Sequence, residues 1–312
     1  MGEFCLGNDY FHEYYKRWMD VNKKGTVAEI TFQKYVIAHK RLREIVPYLK
    51  LSELNKYEYQ QIINKYSETH ERQTIIDFHH QIKASIIDAL SDGLIDKNPT
   101  MRTKIPQGKK ATYTHDKFWD VEEYDKFLKF LYTKKDIKRD DFILLLIAKT
   151  GIRFGEAIGV CPEDFDFENF KLSINKTWDY KSDSGKFQPT KNFSSNRQVL
   201  IDFQTSVIFK SFVSKKKSEH PIFIESGRKI YNSSVNHTLF KYCKILGLKK
   251  ISIHSLRHTY ASVMLTHGVS VESIAKYLGH SDTTVTRKVY LHLTKEMADK
   301  DDDKLIRVLN KF

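Results

Sequence analysis

The sequence predicts a mainly α-helical protein in two parts, with a small antiparallel β-sheet confined to the second. Three observations carry that prediction. Apolar residues keep helical spacing through positions 1–96, a proline- and glycine-bearing basic break follows at 97–113, and two-residue alternation begins near position 165. The 312 residues suffice for about two domains, each able to bury its own core.

In the first part, Asn55 can cap a helix with Glu58 three residues on, and Tyr59, Ile62, Ile63 and Tyr66 then share one face. Ile75, His79, Ile82, Ile86 and Leu90 repeat the pattern in the next helix. Less regular apolar and aromatic positions between Tyr10 and Tyr48 predict about two more helices. Segment 97–113 then combines Pro99, Pro106 and Gly108 with Lys97, Arg102, Lys104, Lys109 and Lys110, and no acidic residue stands between Asp96 and Asp116. Such a composition builds no core but can lie along a phosphate backbone. It reads as an interdomain linker that touches nucleic acid through those five cations, a merely solvated basic linker being the alternative.

The second part, 114–312, opens with helical patterning from Thr114 through Tyr132. Asp140 to Lys149 is a short, nearly all-apolar helix, which implies burial on most sides, and Gly151 is its natural stop. Phe165, Phe167, Phe170, Leu172 and Ile174 alternate around a turn at Glu168 and Asn169, so a strand pair is expected. A third strand is expected around Arg197 to Ile201. Helical patterns dominate from Gln204 onward, except for a short apolar run at Pro221 to Ile224.

Fifty-two Lys and Arg against 39 Asp and Glu leave a net charge of +13, which favours a polyanionic partner but suits RNA, DNA or an anionic membrane equally. The longest uninterrupted apolar stretch, Phe142 to Ala148, is far shorter than the roughly 18 to 20 residues that cross a bilayer, so no membrane partner is expected. Met1 to Tyr10 lacks the features of a secretory signal, and a cytoplasmic location is expected. Cys5, Cys161 and Cys243 are distant and odd in number, which argues against a disulfide framework.

Several phosphate and metal signatures are excluded. Ser184-Gly185-Lys186 resembles the end of a P-loop, but Phe187 stands where Ser or Thr is required and the upstream glycine is missing. His254 and His258 have the i, i+4 spacing of metal ligands without an H-E-x-x-H motif or a third ligand nearby. Asp301 to Asp303 precede Leu305, Ile306, Val308 and Leu309, where acids complement a helix dipole. Neither a metal nor another cofactor is expected.

A different constellation remains in the second part. Thr150-Gly151-Ile152-Arg153-Phe154-Gly155-Glu156 puts an arginine just beyond the buried helix, at the start of another. His254-Ser255-Leu256-Arg257-His258 follows, then Leu278-Gly279-His280, and Tyr290 comes ten residues after His280. Each piece alone is weak, since a lone arginine is usually a surface charge and a lone tyrosine usually core or rim. Their order and local contexts carry the weight.

With Pro189-Thr190-Lys191, this set resembles the tyrosine recombinase, or phage integrase, family, in which a T-G-x-R-x-G-E segment precedes a β-hairpin lysine, an H-x-x-R box, an L-G-H box and a tyrosine nucleophile. The resemblance implies a helical core-binding domain at 1–96, a catalytic domain with a carboxyl-terminal tail at 114–312, and a C-shaped clamp on DNA. The opening Phe11 to Trp18 is similar to the start of that core-binding domain in element-borne integrases. Many of those carry a further arm-binding domain ahead of it, which is not visible in this sequence. Met1 to Phe4 reads either as a cloning remnant on a truncated chain or as the natural start.

The chemistry suits these residue types. Attack of a tyrosine on a phosphodiester places extra negative charge on the nonbridging oxygens of a five-coordinate transition state, and Arg153 and Arg257 can grip them with forks that stay charged. By resemblance, Tyr290 is the nucleophile, His254 accepts its proton, His280 donates a hydrogen bond to the phosphate, and Lys191 protonates the departing 5′ oxygen. Lys186 and Arg197 share the β region of Lys191, so a one-strand shift would change which of them reaches the site. Glu156 is expected to support the site rather than react.

The family further implies cleavage and rejoining of DNA through a covalent 3′-phosphotyrosine without metal or ATP, and integration or excision of a mobile element. Expected partners are double-stranded recombination sites bound by a homotetramer on two sites, with an excisionase or host DNA-bending protein as accessory. The tail from Lys295 to Phe312 would dock on a neighbouring subunit or pack on its own domain. Alternative readings are an Xer-like chromosome-dimer resolvase, a type IB topoisomerase, and, from another class, a catalytically inactive DNA-binding regulator.

Overall fold

A computed structural model describes residues 9–109, 118–182, 185–190, 193–225 and 228–289; Lys110, Lys191, Tyr290 and the expected tail helix lie outside them. The chain divides into two compact units, Met1–Thr114 and His115–Phe312.

The first unit holds α1 (Phe11–Asn22), α2 (Glu29–Ile45), α3 (Lys56–Ser67) and α4 (Arg72–Ser91). Helix α3 starts where the periodicity predicts, because Asn55 Oδ1 accepts the backbone N–H of Tyr57 at 2.9 Å and of Glu58 at 3.1 Å. Its apolar face of Tyr59, Ile62 and Ile63 is wholly buried against Ile75, Ile82 and Ile86 of α4 and Phe11 and Tyr15 of α1. Trp18 Nε1 donates to Asp88 and Tyr14 Oη to the Ser85 carbonyl, so α1 and α4 are joined by hydrogen bonds as well as packing.

Segment 97–109 differs from a free linker. Pro99 and Thr100 are buried, and Ile105 packs on the core of the first unit. The backbone of Gly108 bridges to Glu71, and the Lys109 N–H donates to the His70 carbonyl at 2.9 Å. Ile105 makes this docking favourable by packing on that core, and Arg102, at φ 56°, turns the chain in the left-handed region.

The second unit begins with α5 (Val121–Thr133), capped by Asp120, and α6 (Arg139–Thr150), whose stretch Ile143 to Ala148 is buried throughout. After α7 (Phe154–Ile158) come β1 (Phe165–Asp166) and β2 (Lys171–Ile174), the expected strand pair, in antiparallel register with Phe165 opposite Leu172. A two-stranded ribbon, β3 (Lys176–Trp178) with β4 (Phe187–Pro189), follows, and β5 (Arg197–Leu200) completes the first sheet beside β2, in the order β1-β2-β5. The ribbon has no alternation of buried and exposed residues, which is why two-residue periodicity does not reveal it.

Helices α8 (Phe203–Val213), α9 (Asn232–Leu246), α10 (Ile253–Thr266), α11 (Val271–Leu278) and α12 (Thr283–Val289) make up the rest. The apolar run at 221–224 forms turns that bury Ile222 and Phe223 in the core. Among the described residues no helix is long and apolar enough to cross a membrane.

Candidate active site

Two helix ends create the site. Helix α6 stops at Gly151, φ 65°, and α11 stops at Gly279, φ 67°, each in the left-handed conformation that glycine adopts without steric cost. A Cβ would also stand 2.4 Å from Tyr260 Cδ1 at Gly151 and 2.9 Å from Arg197 Nη1 at Gly279, so neither position has room for a side chain. The carbonyls of a helix terminus lack helical partners and carry partial negative charge. Arginines satisfy them.

Arg257, on α10 and only 3% exposed, donates from Nη1 to the Gly151 carbonyl at 2.8 Å and from Nη2 to the Leu278 carbonyl at 2.6 Å. Arg153 donates from Nη2 to the Gly279 carbonyl at 3.1 Å. The T-G segment and the L-G-H box, more than 120 residues apart in sequence, are thereby joined through the two guanidiniums they flank.

Behind Arg153 lies a buried carboxylate. Glu156 accepts from the Arg153 backbone N–H and Nη1, both at 2.8 Å, and from Arg197 Nη2 at 2.9 Å and Nη1 at 3.3 Å. The side chains of Glu156 and Arg197 are each 4% exposed, against 36% for Arg153, so the carboxylate anchors one buried cation and aims a partly exposed one. Burial by itself would raise the Glu156 pKa, but its hydrogen bonds and charge pairing with Arg197, together with Arg153, outweigh it and hold the group ionised below the usual glutamate range. Arg197 is tied further by Nε to the Tyr277 carbonyl at 2.5 Å and Nη1 to the Ser195 carbonyl at 2.8 Å.

The histidines face this cationic cluster. Arg257 Nη2 lies 3.1 Å from His280 Nε2, and His280 Nδ1 lies 2.7 Å from Thr286 Oγ1. A guanidinium only donates, so Nε2 is the acceptor. Burial first, then Arg257, Arg153, Arg197 and His254, pulls the His280 pKa down to about 4, and the ring is neutral at pH 7. His254 stands exposed at the mouth with Nε2 3.2 Å from His258 Nε2, so only one of those two nitrogens carries a proton. Although the residue reaches solvent, partial loss of water around the ring in the cleft, then Arg257 and Arg153, lowers its pKa as well, which favours the neutral ring.

Arg153, Arg257 and His254 line one open cleft of about 380 Å³, together with Thr177, Tyr180 and Thr190 among others. Of the six predicted catalytic side chains the described residues thus bring together Arg153, His254, Arg257 and His280, while Lys191 and Tyr290 fall outside them. Arg197 was foreseen only as one cation of the β region; its place is the buried pairing with Glu156. The signal was available, since Arg197 and the buried Val199 share one face of a strand, and a charge at a core-facing position requires a buried counter-ion.

Of the predicted DNA-binding residues, Lys97, Arg102, Lys104 and Lys109 are exposed on the first unit and Lys110 lies outside the described residues. The strap that carries Arg102 and Lys104 is locked to α3 by one side chain. Gln60 donates from Nε2 to the Lys104 carbonyl at 2.8 Å and accepts the Lys104 N–H on Oε1 at 2.9 Å. Lys56, Tyr57, Gln60 and Asn64 line a groove with Arg102 and Lys104.

Residues 117–297, more than half of the chain, match the phage integrase family. The chain belongs to the phage integrase family. This family member is similar to the integrase of Staphylococcus phage L54a, at 27% identity over 61% of the chain and 63% of that relative. It is also similar to the transposase from transposon Tn916 of Enterococcus faecalis, at 27% identity over 72% of the chain and 60% of that relative. Both matches span less than two thirds of the relatives' own length. The tyrosine recombinase XerC of Thermodesulfovibrio yellowstonii is 30% identical over 65% of each chain. Among solved structures, the Tn1549 transposon integrase in complex with transposon right end DNA matches 96% of this chain and 100% of that one with a TM-score of 0.80. At 18% identity that likeness shows the fold.

Proposed function

We propose that this integrase-family protein is a site-specific DNA recombinase that cuts and rejoins strands through a covalent 3′-phosphotyrosine, moving a mobile element into or out of DNA. One observation carries the reading: Arg153 and Arg257 line the same cleft, placed there by helix ends and a buried carboxylate. Two such forks suit the nonbridging oxygens of a single phosphate, and the neutral His254 at the mouth suits acceptance of the phenol proton of Tyr290. Lys191 is the proposed acid for the departing oxygen. The phosphotyrosine conserves the energy of the broken bond, so the chemistry needs neither metal nor ATP.

Lys97, Arg102, Lys104, Lys109 and Lys110 are proposed to hold the phosphate backbone of the duplex, and a homotetramer on two recombination sites, with an excisionase or DNA-bending protein as accessory, is the proposed assembly. The enzyme would act in the cytoplasm, where the bacterial DNA lies. Incubation with a nicked suicide DNA site tests the proposal: a covalent adduct that forms in EDTA and is absent with Tyr290→Phe supports it. Tight binding without adduct supports a catalytically inactive DNA-binding regulator instead. The XerC match favours chromosome-dimer resolution as a second reading. Direct repeats and mobile-element genes around the locus would speak for integration, an isolated housekeeping locus for resolution.

A further inference from the structure

We propose, resting on the recombinase reading, that Asn232 binds phosphate in the cleft: Asn236 turns its side-chain amide so that Nδ2 donates to a nonbridging oxygen of the DNA backbone beside Arg153 and Arg257. The direction of the amide follows from a group that has no choice of role. The Ile253 N–H, in the first turn of α10, can only donate, and it meets Asn236 Oδ1 at 2.9 Å. Asn236 Nδ2 is therefore the side that faces Asn232, where it donates to Oδ1 at 2.6 Å and to the backbone carbonyl at 3.0 Å. Both hydrogens of Asn236 Nδ2 are then used, and Asn232 Oδ1 is an acceptor.

The consequence lies on the other branch of the Asn232 amide. With Oδ1 held by Asn236, Nδ2 keeps both of its hydrogens, and among the described residues it has no acceptor. Asn232 is half-buried and lines the same cleft as Arg153, His254 and Arg257. A donor fixed in direction beside two guanidiniums suits an anion with several acceptor oxygens, and a DNA phosphate is the anion that this cleft would receive. The amide is neutral, so it adds a directed hydrogen bond without the desolvation cost of a further charge. Because Asn236 also holds the residue just before His254, one side chain sets both the amide and the start of the H-x-x-R box.

Affinity for the nicked suicide site, measured in the Tyr290→Phe background so that no strand is cut, tests the contact. Asn232→Ala should weaken binding roughly 10-fold, and because an uncharged donor displaces no counterion, the slope of log affinity against log salt should not change. Asn232→Asp keeps the shape and puts an acid in the first turn of α9, which should hold or raise the melting temperature, yet it should weaken binding more than alanine does. Methylphosphonates placed one at a time around the nick, each replacing a nonbridging oxygen by methyl, should abolish the effect of Asn232→Ala at one position and leave it at the others. An Asn232→Ala protein that binds as tightly as its parent overturns the proposal, as does an effect that survives every methylphosphonate. Adduct formation by the chain with Tyr290 intact decides the recombinase reading separately. Adduct with no effect of Asn232→Ala sinks only the phosphate contact, binding weakened by Asn232→Ala without any adduct sinks only the recombinase reading, and a chain that binds no DNA sinks both.

Discussion

The two basic regions of this protein are built on opposite plans. In the second unit, Arg257 and Arg197 are buried and Arg153 is partly so, and every one of the three is fixed by carbonyls or by Glu156. In the first unit, Arg102 and Lys104 are exposed, and what is fixed is the backbone beneath them, by the neutral amide of Gln60. A charge removed from water interacts more strongly with an anion but must be compensated while the anion is absent, which is the role of Glu156 and the helix-end carbonyls. A charge left in water needs no compensation and binds weakly, in a way that salt screens. The first plan suits stabilising a transition state and the second suits holding a long polyanion.

The contrast is broken most forcefully at the buried carboxylate. Glu156→Ala leaves Arg197 buried without its counter-ion and should cost about 3 to 5 kcal/mol of stability in urea unfolding, whereas neutralising Arg102 or Lys104 should cost none measurable. Next in size, Arg257→Lys keeps the charge but loses the fork, and cleavage should fall by roughly two to three powers of ten with DNA affinity nearly unchanged. If affinity collapses along with cleavage, the two regions do not divide their labour as described.

The reverse substitution probes the strap. Arg102→Gln with Lys104→Gln should reduce the slope of log affinity against log salt by about 0.9 for each phosphate no longer neutralised, and leave cleavage at saturating DNA unaltered. Gln60→Ala should weaken binding by roughly 1 kcal/mol through loss of the lock, and have no further effect in the protein that already lacks both cations. Additive effects in that cycle would reduce Gln60 to an ordinary stabilising contact.

The smallest difference is in acid. His280 in the site and His79 in the first core, where Nδ1 meets Tyr59 Oη at 2.9 Å, are both held near a pKa of about 4 by burial before any charge. An unfolded histidine near 6.5 takes up its proton first, so each contributes stability that is complete above that pH and is lost as pH falls toward about 4. Replacing His280 with Asn should flatten the decline of melting temperature in that window only in part, because His79 contributes its own share. A decline unchanged by His280→Asn would place that ring in water.

The elements that local rules govern were legible in advance. Asn55 caps α3, the apolar run from Phe142 produces a buried α6, and Gly151 ends it, since each depends on residues within a turn or two of one another. Where the outcome depended on distant partners, the reading was incomplete. The ribbon of β3 and β4 carries no periodic signal, and the basic break at 97–109 docks on the first unit because Ile105 finds an apolar surface there.

The same division runs through the site. The sequence by itself determined which residues assemble, because the T-G-x-R, H-x-x-R and L-G-H segments each keep their glycine, arginine or histidine at a helix boundary set by short-range forces. Only the tertiary structure decided the partners: Glu156 with Arg197 across 41 residues, Arg257 with the end of α6 across 106, and His280 between Arg257 and Thr286. Buried charges and lone pairs must be matched wherever the packing happens to bring them, and no local pattern encodes that match.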